Sequence, residues 1–403
     1  MKNKSQKTRF ALLLSGLLTE PLVGLIALLP YFLRKDLHAS AFQISLFTMV
    51  KPAVALLSFY WGASLWKNRH RLLSNWMGSW LFARLPFLLF PFITHVGCLI
   101  LGAAIFQFFQ RGGIPAQMEI LKQNVPSGAR EGFFSWSSAV IFLGGALIGL
   151  LLSSEMEGAN WKFLFFCSAV LGLGALFFQA RIPIEINTRE TKIKTGLLEP
   201  WKDSWSLLRQ RPDFARFQLG FMMGGIGLML IMPALVLYSA DDLAISPADM
   251  VMSRFVWMGL GFVLATPFWR RKISYENLYW LTGIACLLFA VSALCWILGV
   301  LNLGWFFTAF FFYGMAQAGS HLIWHLSGPL FAGNQGSSLF STVNILTVGL
   351  RGLIVPFLAG FLCEWVGALP VLALGLLGCL SGAVYLFAQK SLKEQTHVTT
   401  PTI

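Results

Sequence analysis

Acidic residues are scarce in this chain of 403 residues: 17 Asp and Glu stand against 30 Lys and Arg, and charged residues make up only 12%. So little charge cannot clothe a soluble domain of this length, and no polar stretch is left over for a separate extramembrane enzyme. Cysteine is scarce too. Cys98, Cys167, Cys286, Cys295, Cys363 and Cys379 lie inside or at the edges of apolar stretches without paired spacing, which excludes a disulfide framework and a zinc ribbon. His321 and His325 are four apart, as two ligands on one helix face would be, but no Cys or carboxylate nearby completes a metal set. A nucleophile elbow, a phosphate-cradling glycine loop and a metalloprotease helix are all missing, so no catalytic residue, no metal and no cofactor is expected.

What is present is apolar: 56% hydrophobic residues and a mean hydropathy of +0.69. Stretches long enough to cross a bilayer core of about 30 Å fall near 10–33, 42–66, 72–93, 95–120, 132–154 and 160–180. Six more fall near 214–238, 249–269, 274–298, 302–325, 337–362 and 365–389. The fold class this implies is an all-α membrane protein with twelve transmembrane helices in two pseudo-symmetric six-helix bundles. Basic residues crowd into alternate gaps: Lys2 to Arg9, Lys67 to Arg71, Lys122 and Arg130, the 181–216 stretch, Arg270 to Lys272, and Lys390 with Lys393. Only Arg34, Lys35 and Lys162 fall in the other gaps, which places both termini in the cytoplasm of a cell membrane. The formal charge of +13 is therefore topological and does not point to nucleic acid. The first apolar stretch lacks a small-residue cleavage pattern and reads as a retained helix.

The organisation expected is a bundle over 1–180, a cytoplasmic linker over 181–213 and a second bundle over 214–403. Within the linker region, Leu197 to Leu208 with Trp201 and Trp205 reads either as an amphipathic interfacial helix or as a solvated loop. The halves echo each other. Trp66, Lys67, Asn68, Arg69 closes the second span as Trp269, Arg270, Arg271, Lys272 closes the eighth, and a lone cation, Lys51 or Arg254, stands equally far upstream. Phe134, Ser135 opens span five as Phe340, Ser341 opens span eleven, which favours a duplicated six-helix unit.

With those landmarks the whole chain resembles the major facilitator superfamily. Gly62, Lys67, Arg69 and Arg71 resemble that family's basic signature between helices two and three, with Trp66 and Arg69 departing from its pattern. Pro115, Ala116 and Pro126 to Arg130 resemble its helix-four end and following loop. Leu37, Ala39, Ser40, Gln43 and Ile44 look like its turn into helix two. The helix-five Gly-Pro signature of the proton-coupled drug exporters is absent, since Gly144, Gly145 and Gly149 occur without proline. The resemblance implies alternating access of two bundles about a cavity lined by helices one, four, seven and ten, with two, five, eight and eleven at its walls.

An ionisable residue at bilayer depth costs about 3 kcal/mol or more and is by default a functional hypothesis. Lys51, Arg84, Arg111, Arg254 and Arg351 face only one acid, Glu20, and an anionic cargo would balance that excess. Candidate substrate-binding residues are Arg351, Lys51, Arg254 and Arg111, with Gln107 beside Arg111 and Asn344 on the Arg351 face. Gln317, His321 and Trp324 on helix ten complete the set. Against this, Lys51 and Arg254 could snorkel to headgroups, His321 could anchor at the interface, and Arg111 could serve a cytoplasmic gate. Glu20, before Pro21, is the candidate proton carrier or else an ion-pair partner. Arg84, Gly62, Lys67, Arg69, Arg71 and Arg130 are read as structural or gating residues, the glycines as packing residues and most Phe as lipid-facing bulk. The functional expectation is a secondary transporter of a small organic anion, monomeric in the bilayer, with protons as the coupling ion. Two alternatives stand: proton-driven export of hydrophobic or cationic compounds, and a non-transporting membrane sensor or assembly factor.

Overall fold

The computed structural model describes residues 2–67, 72–153, 160–184, 198–333 and 338–399. In chain order its α-helices are α1 (Lys2–Leu37), α2 (Ala41–Lys67), α3 (Leu72–Arg84), α4 (Val96–Asn124), α5 (Ser127–Ser153), α6 (Trp161–Leu173), α7 (Ala175–Gln179) and α8 (Glu199–Gln210). There follow α9 (Pro212–Leu237), α10 (Pro247–Val251), α11 (Met258–Lys272), α12 (Leu278–Ile297), α13 (Leu303–Ala332), α14 (Ser338–Val366) and α15 (Ala368–Thr399). Among the described residues, eight helical stretches are long and apolar enough to cross a membrane, and Ala41–Val54 and Trp136–Leu150 are shorter apolar helices. The architecture is thus an all-α, multi-spanning membrane fold, with eight helices meeting the criterion where the sequence suggests twelve.

Some stretches fall short because helix geometry breaks inside them. Pro86 and Pro91 cannot donate to an α-helical ladder, and the stretch after α3 tightens into a 3₁₀ helix over Leu85–Phe92. The later stretch Trp161–Gln179 is divided at Gly174 into α6 and α7 and still counts among the eight.

Two compact units make up the chain: Met1–Thr195 with Ala244–Gly259, and Gly196–Leu243 with Leu260–Ile403. In the first, α1 packs on α5, α6 and α7, and α4 packs on α2 and α3. Phe87, Phe90 and Phe165 fill its core with ring centroids 4.6 to 5.6 Å apart. The segment Ala244–Gly259 belongs here because Phe255 seats its ring against Gly24 of α1 and Gly149 of α5, where any side chain would collide with it.

In the second unit α15 packs along α9 and α12, with α14 also on α9. Gly378 brings α15 against the Gly227 backbone of α9, a close approach that a side chain on either would prevent. Phe214, Phe217, Phe331 and Phe340 cluster with centroids 5.0 Å apart, so many Phe residues are core in place of the lipid-facing bulk expected. The helix α8 buries Ser204 and Leu207 against α14 and α9 while Trp205 stays 60% exposed, so the region read as helix or loop is helical.

Candidate functional site

Glu20 lies in the middle of α1 and is 7% exposed. Its side chain lies against Gly145 of α5, a position where a Cβ would come within 2.9 Å of the Glu20 Cγ. The charge that bears on it is Arg254. Arg254 stands on a π-helical turn, Met252–Trp257, which follows α10, and such single turns recur at functional sites because the extra residue re-aims its neighbours. Lys51 on α2 is exposed, and Arg111 and Arg254 are near enough for their like charges to oppose its own. Arg111 is half-buried on α4, with Gln107 one turn before it. Among the described residues none of Glu20, Lys51, Arg111 and Arg254 makes a hydrogen bond or an ion pair at bonding distance. In the first unit Arg254 thus bears on Glu20, and Lys51, Arg111 and Arg254 bring like charges near one another, an arrangement that an additional negative group would relieve.

Beside Glu20 a cavity of ≈ 220 Å³ opens within the same unit. Thr19, Gln110, Gln117, Ser137 and Ser138 give it polar walls, and Leu12, Leu121 and Phe133 line it farther along α1. The Gln110 Oε1 atom is buried without a hydrogen-bond partner. Sequence reasoning missed this cavity, although Ser15 and Thr19 at i, i+4 on α1 and Gln110 and Gln117 at i, i+7 on α4 were its visible signal.

Arg84 is fully buried, and both of its terminal nitrogens are engaged while its Nε has no hydrogen-bond partner. Its Nη1 donates to the Trp80 carbonyl at 2.8 Å, its Nη2 donates to the Thr19 hydroxyl at 2.9 Å, and its guanidinium lies 3.7 Å over the Trp80 ring. The Trp80 indole in turn donates to the Gly172 carbonyl at 2.9 Å, so one cation ties α3 to α1 and α6.

Arg351 has the same character in the second unit. It is 8% exposed, donates through Nη1 to the Phe221 carbonyl of α9 at 2.6 Å, and lies 4.8 Å from the Phe221 ring centroid. Gly225, one turn beyond Phe221, leaves the space its guanidinium occupies. Asn344 and Thr347 share its face of α14, as their spacing predicts, and join a closed network. Asn344 accepts from Gln218 and donates to Ser327 at 2.8 Å, and Thr347 donates to the Gln218 carbonyl oxygen at 3.3 Å. Gln317 donates to the Tyr313 hydroxyl at 2.7 Å, Trp324 stacks on Phe221 with centroids 6.4 Å apart, and His321 meets His325 edge to face at 4.8 Å. The residues expected to form one site therefore fall into two sets, Lys51, Arg111 and Arg254 in one unit and Arg351, Asn344, Gln317, His321 and Trp324 in the other.

At the head of α9, Arg211 grips Asp213 with two hydrogen bonds of 3.0 and 2.8 Å, which raises the Arg211 pKa. Tyr275 donates to the same carboxylate at 3.2 Å, and burial, followed by the Asp213 charge, pushes its phenol up. At the other end of the first unit, Tyr31 and Lys35 both donate to the Ile245 carbonyl, and Lys35 also donates to the Tyr31 hydroxyl at 2.9 Å. Gly62 and Lys67 lie in α2 and Arg130 in α5; Arg69 and Arg71, together with the side chains of Lys67 and Arg130, lie outside the described residues.

Residues 12–350 match the family described as Major Facilitator Superfamily, a family of transporters. Among proteins of curated function none matches the chain in sequence. Similar solved structures include the nucleoside transporter NupG, with a TM-score of 0.68 at 12% identity over 94% of this chain and 98% of that one. A mutant of that transporter gives 0.70 at 13% identity over 94% and 99%. The human organic anion transporter MFSD10 (TETRAN) gives 0.65 at 15% identity over 95% and 99%. At such identities the likeness carries the fold.

Proposed function

The chain belongs to the major facilitator superfamily, and from that premise we propose that it moves a small organic anion across the cell membrane by alternating access. Membership supports a non-enzymatic transporter with a small-molecule substrate in a lipid bilayer. The finer reading is a monomer of twelve spans in two six-helix halves, 1–180 and 214–403, joined by the 181–213 linker with both termini cytoplasmic. The observation that carries the anion is the gathering of Lys51, Arg111 and Arg254 as like charges in the first unit, with Glu20 beside Arg254. None of the three has a hydrogen bond or an ion pair among the described residues, Arg254 having the Phe255 ring 5.8 Å away, whereas Arg351 has both a carbonyl and a ring for partners. We accordingly move the leading substrate contact from Arg351 to Arg254, with Lys51 and Arg111 beside it and Gln107 at the edge. Asn344, Gln317, His321 and Trp324 stand as the second unit's contribution to the translocation path.

Arg254 is also the charge nearest Glu20, and this supports protons as the coupling ion. With Glu20 ionised, the carboxylate attracts Arg254 across the space between them; with Glu20 protonated, Arg254 is free for the cargo. Uptake of carboxylates and phosphate monoesters into proteoliposomes, with and without an inward proton gradient, tests both parts. Gradient-stimulated uptake that Glu20→Gln makes insensitive to the gradient is expected. Uptake of lipophilic cations with no anion uptake would replace this reading with drug export.

A further inference from the structure

The cavity beside Glu20 has no part in holding a cargo anion. Its lining carries one charged group, Glu20 itself, amid neutral hydroxyls and amides, and every neighbouring cation sits behind its walls. Arg254 bears on Glu20 from the Met252–Trp257 turn, Arg84 bonds Thr19 from α3, and Arg111 follows Gln110 on α4. From α5, among the described residues, Gly145 lies against Glu20, and Phe133, Ser137, Ser138 and Ile141 line the cavity without charge. An anion would meet the carboxylate with no cation in the chamber.

Water fits it. A polar void holds water when it offers the two to four hydrogen bonds each molecule needs and exceeds roughly 15 Å³. This void is ≈ 220 Å³, and its walls include the Gln110 Oε1 that finds no protein donor. An unpartnered carboxylate and an unpartnered amide oxygen, both buried, are the groups that bridging water satisfies. The cavity is also elongated along α1. Glu20 lies at one end and Leu12, Leu121 and Phe133 at the other, about 12 Å away at 1.5 Å per residue. That far end points to the basic N-terminal end of α1, where the Arg9 guanidinium lies 6.0 Å from the Phe133 ring centroid.

Resting on the reading of Glu20 as the coupling acid, we propose that this cavity is a hydration site through which Glu20 exchanges its proton, separately from the path of the cargo. Gln110, Gln117, Ser137 and Ser138 hold the water file. An arriving proton forms the O–H bond on the Glu20 carboxylate as the last water of the file gives up one of its own, each water being restored by its neighbour. Run in reverse, the file releases the Glu20 proton to bulk water beyond Phe133, so it serves one face of the membrane, and an inward gradient loads the carboxylate from the other. The cargo anion on Arg254 and the proton on Glu20 then act on two neighbouring charges while approaching them from different sides.

The test uses the purified full chain in bilayers and infrared difference spectroscopy of the protonated carboxyl stretch, with the proton as the only probe. A band lost in Glu20→Gln identifies the group. On transfer to D₂O the wild-type band is expected to shift promptly. In Gln110→Leu, which puts an isobutyl group into the file, the shift slows at least about tenfold, the kinetic equivalent of losing one bridging hydrogen bond. If Gln110→Leu does not fold, Gln117→Leu farther along the same file carries the same expectation. A Glu20 band whose exchange is equally fast in the leucine variants overturns this inference and leaves Glu20 as the coupling acid. No band assignable to Glu20 at any pH overturns the coupling reading itself.

Discussion

Each unit buries arginine in its apolar interior, and the two settle the cost differently. In the second unit the charge is largely spent inside the protein: Arg351 donates to the Phe221 carbonyl and lies against its ring, with its Nε left unpartnered, and Gln218, Asn344, Ser327 and Thr347 close a separate network that includes its own face of α14. The first unit spends one cation in the same way, Arg84 on Trp80 and Thr19. It then holds three more, Lys51, Arg111 and Arg254, with no hydrogen bond or ion pair among the described residues and the Phe255 ring 5.8 Å from Arg254. Charge in a membrane is thus not one signal but two. A cation matched by carbonyls and rings is an internal fastener, and a cation left unmatched is a binding device.

Substitutions can break this contrast. The largest effect is expected for Arg254→Gln: anion uptake falls about 100-fold, as removing one member of a desolvated charge contact costs about 3 kcal/mol, while thermal stability holds or rises because a buried like charge is gone. Arg351→Ala should do the reverse. It leaves a cavity where the guanidinium lay against Phe221 and Gly225, and the expected loss is about 3 kcal/mol of stability by denaturant titration. Arg351→Met refills the space and should recover most of that loss, with uptake near wild type. Gly225→Ala sharpens the point from the opposite helix, since the added methyl occupies the guanidinium's place; about 1 to 3 kcal/mol of destabilisation is expected. The smallest effect belongs to Arg211→Ala. Arg211 and Asp213 are each about a third exposed, so calorimetry should register roughly 1 kcal/mol or less, shrinking as salt is added.

Hydropathy made the membrane fold legible, because length and apolarity are properties of the sequence itself. It did not show the change from α to 3₁₀ geometry at Leu85–Phe92, because the Leu and Phe around Pro86 and Pro91 keep that stretch apolar whichever helix it forms. For the site, the depth of Glu20, Lys51, Arg84, Arg111, Arg254 and Arg351 was readable, and so was the shared face of Asn344, Thr347 and Arg351. Which cations are satisfied was not readable. The partners of Arg84 and Arg351 are a Trp80 carbonyl, a Thr19 hydroxyl and a Phe221 carbonyl, and every residue carries a carbonyl. The room for Arg351 comes from a glycine whose sequence context looks like ordinary helix packing. The π-helical turn that carries Arg254 has no composition of its own and shows only in the backbone.

The account turns on unmatched cations of the first unit receiving a negative cargo. Thermal stability of the purified protein, titrated with dicarboxylates and phosphate monoesters, measures this most directly when wild type, Arg254→Gln and Arg351→Met are compared. The expected result is an anion-induced shift in wild type that Arg351→Met keeps and Arg254→Gln loses. A shift that survives in Arg254→Gln and vanishes in Arg351→Met would contradict the account.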